Sequence, residues 1–362
     1  MKSLHVETGR HLYGGPQQVL YLLEGLTRRG HETVLVCPPG SEIAAAAGKQ
    51  GLRTLEIPCS GDHDLRFAWR LRQVLMEESP AIVHCHSRRG ADFLGGQAAA
   101  MAGIPAVVSR RVDNPDPKFV AKLRYRNFRR VIAISGAIEQ ELLRSGVDPA
   151  RVVLIHSVVD LDRFRTPPDR EALCQEFSLP PDAPLIVSAA QMIPRKGQRY
   201  LLEAIAQVRE THPNVRVLLF GRGPEEQALR ALAQDLDLGE SAVFPGFRDD
   251  LDDWLGGFDL LVHTALTEGL GVIALKARAA GLPVIAFAAG GLPEVIAHKE
   301  NGILVTPGDV DGLAAEIRHL LDDSDTRASY AAAARRDTEE RFSIDGMVDA
   351  HIALYRDVAH GT

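Results

Sequence analysis

Short apolar runs recur along the chain, each separated from the next by an amphipathic stretch long enough for one helix. The first series lies at 4–6, 33–36, 54–57, 81–85, 106–109, 131–134 and 152–155. A stretch rich in Pro and charge, 160–169, interrupts it, and a second series follows at 185–189, 215–220, 242–244, 260–263, 284–287 and 303–305. Runs this short and apolar suit strands buried on both faces, and strand alternating with helix gives right-handed crossovers in a parallel sheet. The pattern predicts two doubly wound α/β domains, 1–165 and 166–342. Gly30, Gly51, Gly103, Gly146 and Gly239 stand where helices would end before the next strand. A final apolar stripe of Ile344, Met347, Val348, Ile352 and Tyr355, with Ser343 as its N-cap, predicts one more helix over 343–362.

A length of 362 residues with 45% hydrophobic and 25% charged residues fits two ordinary globular cores. Cys37, Cys59, Cys85 and Cys174 show no C-x-x-C spacing, so reduced thiols are expected rather than a disulfide framework or a zinc site. No run approaches the ~18 apolar residues of a membrane span. Met1-Lys2-Ser3 leads straight into a strand-like run, which leaves no signal peptide and makes a cytoplasmic protein the expectation.

Charge divides the chain. Residues 1–160 hold 21 Lys and Arg against 16 Asp and Glu, whereas the remainder holds 20 against 32. Much of the basic excess lies in 110–130, where Arg110, Arg111, Lys118, Lys122, Arg124, Arg126, Arg129 and Arg130 accompany only Asp113 and Asp116. Two readings stay open: a solvated amphipathic helix with Tyr125 and Phe128 packed inward, or a surface for an anionic acceptor or an anionic membrane face.

Several motifs fall at predicted strand ends. Tyr13-Gly14-Gly15-Pro16 opens the first helix with N–H groups that a phosphate can approach, or is a plain tight turn. It lacks G-x-G-x-x-G, which disfavours a dehydrogenase. Pro194-Arg195-Lys196-Gly197 places two cations beside a helix start, a setting for a diphosphate leaving group. Gly221-Arg222-Gly223-Pro224 and Pro245-Gly246-Phe247-Arg248 end further strands at the edge where open α/β sheets bind ligands. Glu268-Gly269-Leu270-Gly271 offers a carboxylate for sugar hydroxyls and amides for a phosphate. In the first half, His84 and His86 end one strand, with Arg88 and Arg89 following; His86 reads as a polar site residue or as a cap.

These motifs, with Ala133-Ile134-Ser135 and the stretch from Val159 to Phe164, resemble in order and spacing the GT-B glycosyltransferases of family 4, group 1, which include bacterial cell-envelope enzymes. The resemblance implies two Rossmann-like domains facing a central cleft, with the last helix crossing back to the first domain. It implies a nucleotide diphosphosugar donor, a glycan or glycolipid acceptor such as a lipopolysaccharide core, no metal, no cofactor, no nucleic acid, and retention of anomeric configuration. Peripheral contact with an anionic membrane is a further expectation. Catalytic positions would be Arg195, Lys196, Glu268, His86 and Arg111. Donor contacts would come from Gly14, Gly15, Gln191, Gly221, Arg222, Phe247, Arg248, Gly269, Leu270, Gly271 and Lys276. Acceptor contacts would come from Arg88, Arg89, Arg110 and Lys122. Three positions depart from the family pattern: Gln191 replaces an Arg, Lys276 the second Glu of Glu-x7-Glu, and Arg111 a catalytic His. Lys276 would meet a phosphate, an anionic sugar or solvent. A non-catalytic binding protein and a sugar-nucleotide epimerase are the competing readings.

Overall fold

The computed structural model describes residues 1–86, 90–112 and 114–361, and the chain divides into two compact units, Met1–Val158 with Ile344–Thr362, and Val159–Ser343. The division falls at Val158 rather than 165 because the Pro-rich stretch folds within the second unit. There Phe164 is buried and Arg163 bonds Asp253 at 3.0 Å.

The first unit holds seven strands: β1 (Lys2–Val6), β2 (Glu32–Cys37), β3 (Thr54–Glu56), β4 (Ile82–Cys85), β5 (Ala106–Arg110), β6 (Arg130–Ala133) and β7 (Val152–Leu154). They form one parallel sheet in the order β3-β2-β1-β4-β5-β6-β7. The order reverses between β1 and β4, where ligand sites of such sheets open. Register sets His5 opposite His84, so both side chains share one face.

The helix Gly14–Arg28 buries Leu22 and Leu26, and the last helix, Ile344–His360, packs against it through Met347, Val348, Ile352 and Tyr355. The approach is close: a Cβ at Gly25 would stand 2.4 Å from Val348 Cγ2. Glycine there lets the two backbones meet.

The second unit holds β8 (Leu185–Ala189), β9 (Arg216–Phe220), β10 (Ala242–Gly246), β11 (Leu260–His263), β12 (Val284–Phe287) and β13 (Ile303–Val305) in the order β10-β9-β8-β11-β12-β13, again parallel. Its reversal lies between β8 and β11. The core packs Ile186, Val217, Leu260 and Ile285 of the sheet against Leu201, Leu202 and Ile205 of the helix Gln198–Val208. Gly239 does not end a helix. The preceding helix stops at Asp235, Asp237 takes the left-handed turn, and Gly239 opens a short 3-10 segment. Among the described residues, no helix is long and apolar enough to cross a membrane.

Candidate active site

In the second unit, the loops leaving β8, β9, β11 and β12 interlock through their backbones. Gly221 has φ 135°, and a Cβ on it would fall 1.9 Å from the Ala190 carbonyl oxygen. Gly290, at φ 55°, lies equally close to the carbonyl of Glu268, which accepts from the Gly291 N–H at 3.1 Å. Any side chain at either glycine would push these loops apart. Their fit fixes where the charged groups stand.

Those groups converge on Glu268. Lys196 Nζ donates to Glu268 Oε2 at 2.5 Å, His263 Nε2 lies 2.7 Å from the same oxygen, and the Gly269 N–H donates to Oε1 at 3.1 Å. His263 is the last residue of β11 and is buried; Lys196 closes the short 3-10 turn after β8. Burial alone would raise the Glu268 carboxyl. The His263 hydrogen bond and charge, together with Lys196, outweigh it and hold the group well below the usual carboxylate range. Arg195 reaches across to the Thr267 carbonyl at 3.4 Å, and Leu266 N–H donates to the Arg195 carbonyl at 2.9 Å. Two cations and one ionised carboxylate therefore stand at the carboxyl ends of β8 and β11.

The neighbouring positions vary. Arg222 stacks over the half-exposed Phe247 ring at 4.8 Å, making a flat cationic platform after β9 and β10. Gln191 is exposed, and its carbonyl accepts from Gln198 Nε2 at 2.9 Å. Leu270 is buried, and Gly271, at φ 94°, precedes the helix Val272–Ala279. The Arg248 guanidinium binds Asp250 and Glu176 and lies 5.5 Å from the Phe177 ring. Lys276 does not point to solvent. It bonds both oxygens of Asp252, at 2.9 and 2.8 Å, with Arg163 3.7 Å from the same carboxylate.

In the first unit, the helix Gly14–Arg28 starts with no side-chain cap and no acid in its first turn. Among the described residues, nothing lies within 4 Å of a Cβ position at Gly14, and Arg111 Cδ lies 3.5 Å from one at Gly15. Arg111 reaches Ser157 Oγ at 3.4 Å and leaves its Nε unpartnered among the described residues. Burial lowers its pKa to about 10, against the opposing pull of Glu7 and Tyr355, so it stays charged. Arg110 behaves oppositely. It is buried, and it binds Asp116 at 2.8 Å, the Tyr125 hydroxyl at 3.1 Å and the carbonyls of Val112 and Asn114, so the expected acceptor contact is corrected to a loop anchor. Lys122 is exposed; Arg88 and Arg89 lie outside the described residues.

Beside Arg111 runs a chain of buried rings. Ser3 Oγ lies 2.9 Å from His5 Nε2, His5 Nδ1 lies 2.9 Å from His86 Nε2, and His86 Nδ1 ends the chain unpartnered among the described residues. His84 bonds the Tyr355 hydroxyl at 2.5 Å and Ser109 Oγ at 2.8 Å. The ring nitrogens of His5, His84 and His86 lie within 4.8 Å of one another, a spacing that a metal site would share. Both nitrogens of His5 and of His84 already have partners, so the set reads as two hydrogen-bonded chains, Ser3–His5–His86 and Tyr355–His84–Ser109. Burial is the largest cause lowering these three histidines and the buried His351 of the last helix, whose ring lies 5.5 Å from that of His84, with His5 lowered to about 3 and His351 to about 4, so the rings are neutral at pH 7.

Residues 169–337 match the family model of glycosyl transferases group 1, and residues 13–163 match that of glycosyltransferase family 4. The chain is a group 1, family 4 glycosyltransferase. It is 27% identical over 365 residues to the lipopolysaccharide core biosynthesis glycosyltransferase LpsD of Rhizobium meliloti, covering 98% of each chain. It is also 27% identical to a GDP-mannose-dependent alpha-(1-6)-phosphatidylinositol monomannoside mannosyltransferase of Mycolicibacterium smegmatis, over 89% of each. The crystal structure of Anabaena HepE in complex with UDP-glucose superposes with a TM-score of 0.88 at 22% identity, covering 98% of this chain and 99% of that one, a likeness of fold.

Within this glycosyltransferase, Lys196, Glu268 and Arg195 come together as one group, and Gly15, Arg111 and His86 lie in one region of the first unit. Sequence reading passed over His263, Asp252, His5 and Tyr355. His263 carried a signal, a histidine closing an apolar strand five residues before the carboxylate it serves. Asp252 and Tyr355 carried none, since each meets its partner only through the fold.

Proposed function

We propose that this glycosyltransferase transfers a sugar from a nucleotide diphosphosugar to a cell-envelope glycan or glycolipid, with retention and without a metal ion. The observation that carries the donor assignment is Lys196, a part-buried ammonium held at the β8–β11 switch point by Glu268. A diphosphate gains charge as the glycosidic bond breaks, and Lys196 with Arg195 supplies the positive charge that steadies it. Glu268 is an acceptor for sugar hydroxyls, and the Arg222–Phe247 platform offers a stacking face to a base. The leaving phosphate oxygen takes the acceptor's proton, which needs no side-chain base; retention itself rests on the family resemblance. Nucleotide sugars with uracil and guanine bases, assayed for released nucleoside diphosphate with and without EDTA, test donor and metal together. Turnover that disappears in EDTA and returns with a divalent ion would remove the metal-free reading, and NMR of the product anomer reads stereochemistry.

The acceptor reading draws on the lipopolysaccharide core relative and on the surface of the first unit. The helix Leu65–Glu78 exposes Leu65, Trp69 and Met76, Met101 is exposed, and Phe119 is exposed near in sequence to Lys118, Lys122, Arg126 and Arg129. Asp116 and Asp92 are taken up internally by Arg110 and Arg124, so the exposed charge of the helix Lys118–Tyr125 is positive. Apolar side chains flanked by cations suit an anionic bilayer. Flotation with phosphatidylglycerol vesicles but not phosphatidylcholine vesicles is expected, and equal behaviour with both would refute it.

A further inference from the structure

We propose that His263 is a positioning residue that keeps Glu268 satisfied when Lys196 turns to the donor diphosphate; this rests on the donor assignment above. Without a ligand, Glu268 Oε2 is shared between Lys196 at 2.5 Å and His263 at 2.7 Å, while Oε1 takes the Gly269 N–H. A buried carboxylate with Lys196 as its only charged neighbour would hold that lysine tightly, because releasing it would leave an ionised group under-bonded. His263 removes that obstacle. It is fixed at the end of β11, almost wholly buried, and aims Nε2 at the same oxygen the ammonium uses. When Lys196 Nζ moves onto phosphate oxygens, Glu268 retains His263 and Gly269, and its charge stays hydrogen-bonded. Lys196 is thus an exchangeable cation, parked on Glu268 and released without stranding it. The neighbouring backbone does not take part in the exchange: Thr264 Oγ1 donates to the Lys196 carbonyl at 3.4 Å and the Leu266 N–H donates to the Arg195 carbonyl at 2.9 Å.

Calorimetry with free UDP and GDP isolates the exchange, since neither carries the sugar that Glu268 would also touch. His263→Leu is expected to weaken nucleoside diphosphate binding roughly tenfold, the order of one charge-assisted hydrogen bond. His263→Gln, whose amide nitrogen can stand where Nε2 does, is expected to restore most of it, and His263→Asn, which is shorter, is not. Adding Glu268→Gln to His263→Leu is expected to recover affinity, because a neutral amide no longer holds the ammonium; a purely structural histidine would instead give a further loss. If His263→Leu does not fold, as read by circular dichroism, the Gln and Asn pair decides the matter. Wild-type binding with equal affinity in the Leu, Gln and Asn variants would overturn the role of His263 and leave the donor assignment standing. No binding of either diphosphate by the wild type would overturn both.

Discussion

At corresponding places in the two sheets, the strand across the switch point carries histidine, and the two units use it in opposite ways. In the second unit His263 of β11 meets a carboxylate, and the cluster is ionised, with Glu268 held below its usual range beside Lys196. In the first unit His84 of β4 meets other rings and hydroxyls, from Ser109 and Tyr355, and the cluster is neutral. One carboxylate makes the difference. Beside an acid a buried histidine hydrogen-bonds an ionised carboxylate, whereas among rings desolvation wins and the imidazoles are neutral. The same sheet edge therefore carries an ionised cluster in one unit and neutral rings in the other, the latter beside the buried cation Arg111.

Acid should separate the two units most strongly. The first unit's histidines have folded pKa values below the unfolded value of 6.5, so the unfolded chain binds more protons and stability falls as pH drops below about 6.5. The loss runs at roughly 1.4 kcal/mol per group per pH unit until each folded pKa is reached, so His5 and His351 together cost about 5 kcal/mol by pH 4.5. Glu268, depressed from 4.5, contributes stability that is retained above about pH 4.5 and lost only below it. Hydrogen exchange read by peptide in the full chain is expected to show β1, β4 and the helix Ile344–His360 opening between pH 6.5 and 4.5 while β8 and β11 stay protected. Equal opening of both sets would end the contrast.

Removing the central cation should be next in size. Lys196→Ala is expected to lower kcat/KM by about 10²–10³-fold, the order seen for one preorganised electrostatic group. Arg111→Lys should cost less, about tenfold, and still fail to rescue fully, because an ammonium lacks the planar fork that reaches Ser157. A lysine at 111 that restores full activity would mean that charge alone matters there. A packing control follows at about 1–3 kcal/mol: Gly25→Ala forces a methyl against Val348 and should destabilise the first unit alone, as read by denaturant unfolding.

How far the sequence could anticipate this contrast differs by feature. Both sheets were legible because strand period, helix spacing and glycine punctuation are local, and β8 and β11 to β13 fall where the apolar runs do. Lys196 and Glu268 were legible for the same reason, each lying in a loop directly after a strand. What escaped was pairing across distance. His84 and Tyr355 are 271 positions apart, and nothing in either neighbourhood announces the other. Arg110 and Arg111 show the limit at its sharpest: adjacent in the chain, they leave β5 on opposite sides, one sealed by Asp116 and Tyr125 and the other set beside Gly15 and Ser157. A run of basic residues cannot say which of its members turns inward.

Lys276 is where a charge reversal sharpens the comparison at the smallest energy. Its ammonium bridges both oxygens of Asp252, and the pair is part-exposed, with Arg163 near the same carboxylate. Lys276→Glu would set two carboxylates together, yet Arg163 remains to screen them and solvent reaches the pair, so a loss of about 1 kcal/mol in the second unit is expected. Lys276→Met keeps the aliphatic packing and removes only the pair, and should cost less. Asp252→Asn combined with Lys276→Glu should recover most of the loss, because the repulsion then has no second charge. Urea unfolding of the wild type, Lys276→Glu, Asp252→Asn and the double variant measures this as a double-mutant cycle, with Lys276→Met alongside. If Lys276→Glu instead leaves stability unchanged while nucleoside diphosphate binding collapses, Lys276 belongs with Lys196 among the ligand-facing cations rather than with Asp252 as a brace.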